Sequence, residues 1–177
     1  MVDFKRWSIN SGSVALGGAV LAGGLILTAP SSVSAQAAYG SYVGVGVSVG
    51  LTSDANGDGS NIAGLVAARY KLLRFPISLR AQGFFSDESA AVVPTVSYDF
   101  PINFQTDVYL GIGAAFGGGT TPSTIGDDVA FAIQPGVDFA LPNSDLVVFG
   151  NAVIAFDAFD DGGGTAASLQ GGVGLRF

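Results

Sequence analysis

The sequence predicts an all-β fold, an eight-stranded antiparallel transmembrane β-barrel preceded by a cleavable signal peptide. Three observations lead to this prediction. From residue 39 onward, apolar residues recur at every second position, which is the period of a strand. These positions carry bulky side chains, whereas the alternate positions are mostly Gly, Ala and Ser. The connections alternate between short ones with proline and polar ones, as in barrels with turns and loops on opposite membrane sides.

The N-terminal region has the features of a secretory signal peptide. Lys5 and Arg6 precede an apolar run at 14–29, and small residues follow it. This run has 16 residues, is diluted by glycines, and is shorter than the roughly 20 residues that a helical membrane span needs. We therefore expect residues 1–35 to be removed and residues 36–177 to form the barrel domain.

Composition narrows the possible functions. The chain has 177 residues, with 14 acids, seven bases, no His and no Cys. Removing residues 1–35 removes one acid and two bases, which leaves a net charge of −8 and argues against electrostatic binding of nucleic acid. Without Cys there is neither a disulfide framework nor a cysteine for lipid attachment.

The first four alternating segments lie at 39–51, 61–72, 77–85 and 91–100, and each has one bulky apolar face. Their bulky faces comprise Val43, Val45, Val47 and Val49; Ile62, Val66 and Tyr70; Ile77, Leu79 and Phe85; and Val92, Val96, Tyr98 and Phe100. Pro94 in the fourth segment removes one ladder donor, and we expect a local bulge there.

The last four segments lie at 104–116, 128–141, 146–156 and 168–177. The sixth alternates most regularly, but it contains Pro135, where we again expect a bulge. In the seventh, both sets of alternate positions are apolar, so the pattern does not show which set faces the lumen. The eighth alternates up to the final residue, with Leu169, Val173, Leu175 and Phe177 on one face.

The small face is predicted to line the lumen and the bulky face to meet lipid. A closed eight-stranded barrel has little interior volume, which suits Gly, Ala and Ser. A soluble ligand-binding barrel, a further hypothesis, would place its bulky residues inside instead. Two aromatic girdles are expected at the membrane interfaces, formed by Tyr39, Tyr70, Tyr98, Phe100, Phe104, Phe139 and Phe177 at the turn side and by Phe85, Phe116 and Phe131 at the loop side.

Seven charged residues share the inward parity of the strands. They are predicted to form an ionic network inside the barrel, because desolvated charges persist when they are paired: Arg69, Lys71, Arg80, Asp99, Asp107, Asp138 and Arg176. One hypothesis is that this network plugs the lumen. The alternative is that it gates a narrow, porin-like channel for ions or small solutes.

No catalytic, cofactor or metal site is predicted. The segment at 54–61 resembles the first half of a calcium loop, but Leu65 stands where that loop needs a bidentate acid. The chain lacks His, the commonest general base, so a lipid-modifying enzyme is the least favoured hypothesis and we expect no enzymatic activity.

The chain from about residue 39 to 177 resembles the small eight-stranded outer-membrane barrels of the OmpA and OmpX type. The resemblance depends on strand number, loop asymmetry and the C-terminal strand ending in Phe177. It implies a location in the outer membrane, contact with its lipid and lipopolysaccharide, and assembly by the barrel-assembly machinery, which reads the last strand as a signal. We expect a monomer with a structural or surface-interaction role.

Deleting Phe177 should leave synthesis and export intact but reduce the amount of folded barrel in the outer membrane, because the terminal strand is the predicted insertion signal. The amount is measured from heat-modifiable protein in isolated membranes, with Phe177→Tyr as the aromatic control. Equal amounts from the deletion and the control would show that the terminal aromatic is incidental.

Overall fold

The computed structural model describes residues 40–52, 62–72, 74–87, 89–119, 123–159 and 164–177. The strands are β1 (Tyr42–Gly50), β2 (Ile62–Leu72), β3 (Ile77–Phe85), β4 (Ser89–Pro101), β5 (Thr106–Gly119), β6 (Val129–Ala140), β7 (Leu146–Phe156) and β8 (Thr165–Arg176). They form a closed antiparallel barrel, which confirms the all-β, eight-stranded prediction. The expected signal peptide at 1–35 and the acidic segment at 54–61 lie outside the described residues.

Each strand pairs with its neighbours in the chain, and β1 pairs with β8 to close the barrel. A path through successive cross-strand partners starts at Tyr42 on β1, passes once around the barrel and reaches Ala166 on β8. The β8–β1 register places Ala166 opposite residue 52. The circuit thus advances ten residues along β1, a shear of ten. With eight strands this shear tilts each strand by about 40° from the barrel axis.

The two ends of the barrel differ in their connections. The connections after β2, β4 and β6 are short, and this end is called the turn end; the chain also leaves the barrel here, where the Phe177 amide donates to the Ser41 carbonyl at 3.2 Å. The connections after β1, β3, β5 and β7 lie at the opposite end, called the loop end. Among the described residues, no helix is long and apolar enough to span a membrane.

The predicted faces of the strands are confirmed. Bulky apolar residues such as Val45, Ile112 and Phe131 are 53% to 61% exposed on the outside of the barrel. For β7, whose register the sequence left open, the structure turns Val147, Phe149, Asn151, Val153 and Ala155 inward. The aromatic residues of both expected girdles that lie among the described residues are also exposed, and Phe156 joins the loop-end group.

The lumen contains larger side chains than the small-residue pattern suggested. Tyr42, Phe84, Tyr109 and Phe149 all point inward and are buried. Tyr42 and Phe149 stack with ring centroids 5.6 Å apart. The glycines of β1 and β8 provide the room for these rings, and Gly172 is the clearest case, since a Cβ atom there would collide with the ring of Phe149.

The two strand prolines interrupt the pairing without shifting it. The β4–β5 pairing skips Pro94 between Val92 and Thr95 and continues in the same register. The β6–β7 pairing skips Pro135 in the same manner. A bulge would offset the register by one residue, so the expected bulges are wrong.

Replacing Gly172 with Ala should destabilise the folded barrel by about 1 to 3 kcal/mol, because the new methyl group would collide with the Phe149 ring and with the Val45 carbonyl oxygen. Gly171 is the matched control, since its added Cβ atom would find its nearest neighbour, the Phe149 carbonyl oxygen, at 4.0 Å. Urea unfolding in lipid vesicles measures both variants. Equal midpoints would contradict the packing of Phe149 against β8.

Candidate functional site

Six charged side chains meet inside the barrel, toward the turn end. They comprise three bases and three acids and are called the ionic network: Arg69, Lys71, Arg80, Asp99, Asp107 and Asp138. Their formal charges cancel. All six occupy inward positions on β2 to β6, so strand alternation alone directs them into the lumen.

Arg69 lies at the centre of the ionic network and pairs with all three carboxylates. Its Nη2 atom is 2.8 Å from both Asp99 Oδ2 and Asp107 Oδ2, and its Nη1 atom is 2.8 Å from Asp138 Oδ2. The residue is only 3% exposed. A planar guanidinium presents donors in several directions, so it can hold acids from three strands where an ammonium group would not fit the geometry as well.

Arg80 makes a second set of contacts. Its Nη2 atom is 2.8 Å from Asp138 Oδ2 and 3.3 Å from Asp99 Oδ1. Its guanidinium carbon lies 3.3 Å from the centroid of the Tyr109 ring, which is a close cation–π contact. Tyr42 completes this side by donating its hydroxyl hydrogen to Asp138 Oδ1 at 3.0 Å.

Two serines link the Nε atoms of these arginines to Asp99. Arg69 Nε donates to Ser78 Oγ at 3.1 Å, and that hydroxyl donates to Asp99. Arg80 Nε donates to Ser97 Oγ at 2.9 Å, and that hydroxyl donates to Asp99 Oδ1 at 3.0 Å. Asp99 thereby accepts from both serines and both arginines, which offsets the cost of burying its charge.

The strand register explains why the ionic network needs both charge signs. Arg69 and Arg80 are direct cross-strand partners on β2 and β3, and Asp107 and Asp138 are partners on β5 and β6. Like charges directly opposite on neighbouring strands repel each other. Each like-charged pair is therefore stabilised by the other, which reaches it across the lumen.

The turn-end edge of the ionic network is partly open. Lys71 Nζ is 2.9 Å from Asp107 Oδ2, and these two side chains are 22% and 18% exposed. They line a cavity of about 220 Å³ that also touches Arg69, Asp138 and Arg176. The cavity therefore reaches the ionic network from the turn end.

The structure joins six of the seven predicted residues and places Arg176 at the rim. There the Arg176 guanidinium donates to the backbone carbonyl of Ser144 in the β6–β7 turn. The four residues of the predicted assembly signal, Leu169, Val173, Leu175 and Phe177, are 48% to 58% exposed on the outer face of the barrel.

A layer of neutral polar side chains lies beyond the ionic network, toward the loop end. Its members are Gln82, Thr95, Gln134, Asn151 and Gln170, and all are buried. Thr95 Oγ1 donates to Gln134 Oε1 at 2.6 Å, and Gln134 Nε2 donates to Asn151 Oδ1 at 3.3 Å. Among the described residues, no group of acidic side chains is arranged to hold a metal ion.

Sequence reasoning did not assign Tyr42, Ser78, Ser97 and Tyr109 to the site. The sequence signal that could have identified them is their place at the alternate strand positions that face inward, which the charged residues also occupy. Three of them, Ser78, Ser97 and Tyr109, are each two positions from a network residue on the same strand and therefore on the same face.

Replacing Arg69 with Met should lower the free energy of unfolding by about 3 to 5 kcal/mol, because three carboxylates lose a common partner inside the barrel. Arg74→Met is the control, since Arg74 is exposed in the β2–β3 turn. Urea unfolding in lipid vesicles compares the two variants. Similar midpoints would mean that the ionic network does not stabilise the barrel.

Comparison with known proteins shows the fold. No protein-family model and no curated protein sequence matches the chain. Among solved structures, Neisserial surface protein A (NspA) is similar with a TM-score of 0.57 and 13% identity, over 77% of this chain and 97% of that one.

Two further structures show the same architecture. A de novo designed transmembrane β-barrel has a TM-score of 0.52 and 7% identity, over 78% of this chain and 96% of that one. Ail of Yersinia pestis, solved with the heparin analogue sucrose octasulfate, has a TM-score of 0.51 and 18% identity, over 77% of this chain and 97% of that one. The fold of this chain is therefore a closed eight-stranded barrel similar to outer-membrane barrels.

Proposed function

We propose that the mature chain is an integral outer-membrane β-barrel with a structural or surface-interaction role and a plugged lumen. The observation that carries this proposal is the distribution of side chains. Among the described residues, thirty large apolar side chains are at least 40% exposed, far more than a soluble protein tolerates. All seven charged residues within the eight described strands take inward positions. Such a surface is compatible with a lipid environment.

The strand lengths support a membrane span. A tilted transmembrane strand needs about 9 to 11 residues, and the eight strands have 9 to 14. Closure pairs the two terminal strands and removes free edges, which a backbone in lipid requires. Aromatic side chains near both ends suit the two membrane interfaces.

The plugged lumen is supported by what fills it. The ionic network occupies the turn-end half, and Phe84, Val93 and Val153 are fully buried in the loop-end half. A channel gated by the ionic network is the second candidate, favoured by the cavity that reaches Arg69 and Asp138 from the turn end. The buried apolar side chains beyond it favour the plug.

The proposal extends to location and partners. Export would use residues 1–35 as a cleaved signal peptide, and insertion would use the outward face of β8, ending in Phe177, as the signal for the barrel-assembly machinery. Outer-membrane lipid and lipopolysaccharide would surround a monomeric barrel. The lack of His and the pairing of the luminal acids support a non-enzymatic role.

The heparin analogue in the Ail structure is not proposed as a ligand of this chain. The four loop-end connections together carry nine acids and no bases in the sequence. A polyanion would be repelled by such a surface, whereas cationic groups would be attracted. A surface-interaction role of these loops would therefore involve basic partners.

Protein expressed with its own residues 1–35 should fractionate with the outer membrane, have the intact mass of a chain lacking those residues, and migrate differently with and without boiling in detergent, because a closed barrel resists unfolding. Purified barrel in planar bilayers should stay at background conductance. Protein found in the soluble fraction, with the same gel migration before and after boiling, would refute the membrane proposal. Discrete conductance steps would favour the channel over the plug.

A further inference from the structure

Residues 123–126, which belong to the connection between β5 and β6, fold into the loop-end mouth of the barrel. Ser123, Thr124 and Ile125 are 6%, 2% and 1% exposed, although they belong to a connection and not to a strand. Ile125 is the one large apolar residue of the sequence at 120–128. Its side chain belongs to the same buried apolar cluster as Phe84. An apolar side chain in a polar connection is thus placed over the apolar part of the lumen.

Residues 123–126 are held from two sides, and this segment is called the lid. On the luminal side, Ser48 Oγ on β1 donates to Thr124 Oγ1 at 3.1 Å. On the opposite side, the amides of Asp127 and Asp128 donate to the Ala158 carbonyl at 3.0 and 3.2 Å. The lid is therefore tied both to the barrel wall and to the β7–β8 connection.

Gly126 allows this close approach. Its φ of +94° is a conformation that side-chain-bearing residues rarely adopt, and an added Cβ atom would collide with the Ala158 carbonyl oxygen. Gly118, at the end of β5, offers a comparison, because an added Cβ atom there would meet nothing within 4 Å. The chain itself thus provides one glycine that the lid requires and one that it does not.

We propose that residues 123–126 are a lid that seals the lumen at the loop end, independently of the ionic network at the turn end. The neutral layer of Gln134 and Gln170 lies between these two closures. Gln170 Nε2 donates to Ser48 Oγ at 3.3 Å, so Ser48 joins the neutral layer to the underside of the lid.

The absence of Cys makes single introduced thiols unique reporters. Ile125→Cys reports on the lid and Ser48→Cys, at a fully buried position, on the lumen below it. Asp87→Cys, on the exposed β3–β4 turn, gives the unhindered rate. With a bulky maleimide and folded protein in micelles, both buried thiols should react at least about tenfold more slowly than Asp87→Cys, because they react only through local opening.

Adding Gly126→Ala should make both buried thiols react at nearly the rate of Asp87→Cys, whereas Gly118→Ala and Lys71→Met, which removes the partly exposed edge of the ionic network, should leave them protected. Fast labelling of Ile125→Cys without any second change would overturn the lid. Continued protection of either thiol with Gly126→Ala, or exposure with Lys71→Met, would overturn the seal or its independence. Unchanged heat-modifiable migration in each variant shows that the barrel is folded.

A second measurement avoids any folding defect of Gly126→Ala. In the double variant Ser48→Cys, Thr124→Cys, an oxidant should consume both thiols by forming a disulfide, because the two hydroxyl oxygens that they replace are 3.1 Å apart. Thiols that stay free would overturn the docked lid. The inference rests on the proposed plugged lumen but not on the membrane location, since the micelle measurements are independent of fractionation.

Discussion

Closure of eight strands at a shear of ten is the constraint on which the rest of the structure depends. It fixes the tilt of the strands and the diameter of the lumen. Inward side chains then have to fill a narrow cylinder with neither voids nor collisions, and outward side chains have no protein to pack against. The glycines of β1 and β8 follow from this, because the rings of Tyr42 and Phe149 already occupy the space in front of them.

The same closure makes the ionic network possible. In an open sheet, Arg69 and Arg80 would lie side by side and repel each other, as would Asp107 and Asp138. In a closed barrel, β2 and β3 face β5 and β6 across a short distance, so the two repulsive pairs become one attractive group. The serine hydroxyls then satisfy the Nε atoms that no carboxylate reaches.

The lumen changes in character from one end to the other. Ion pairs stand at the turn end, neutral amides such as Gln134 in the middle, and apolar side chains such as Phe84 and Ile125 toward the loop end. Polar side chains find hydrogen-bond partners within their own layer, as Thr95 Oγ1 does with Gln134 Oε1, and this lowers the cost of burying them. The described acids of the loop-end connections, among them Asp87 and Asp157, lie beyond the apolar layer and are thereby separated from the ion pairs inside.

The sequence by itself determined the fold class, the number of strands and the face of each strand except β7, because alternation is a local property that a period of two reveals. It also placed Arg69 and Asp138 inside. The tertiary structure decided the partners of each charge, the register of β7 and the burial of Ile125. These depend on which strands face each other across the barrel, and that is set by shear and closure. Arg176 shares the inward parity, yet its position at the rim turns its guanidinium to the Ser144 carbonyl.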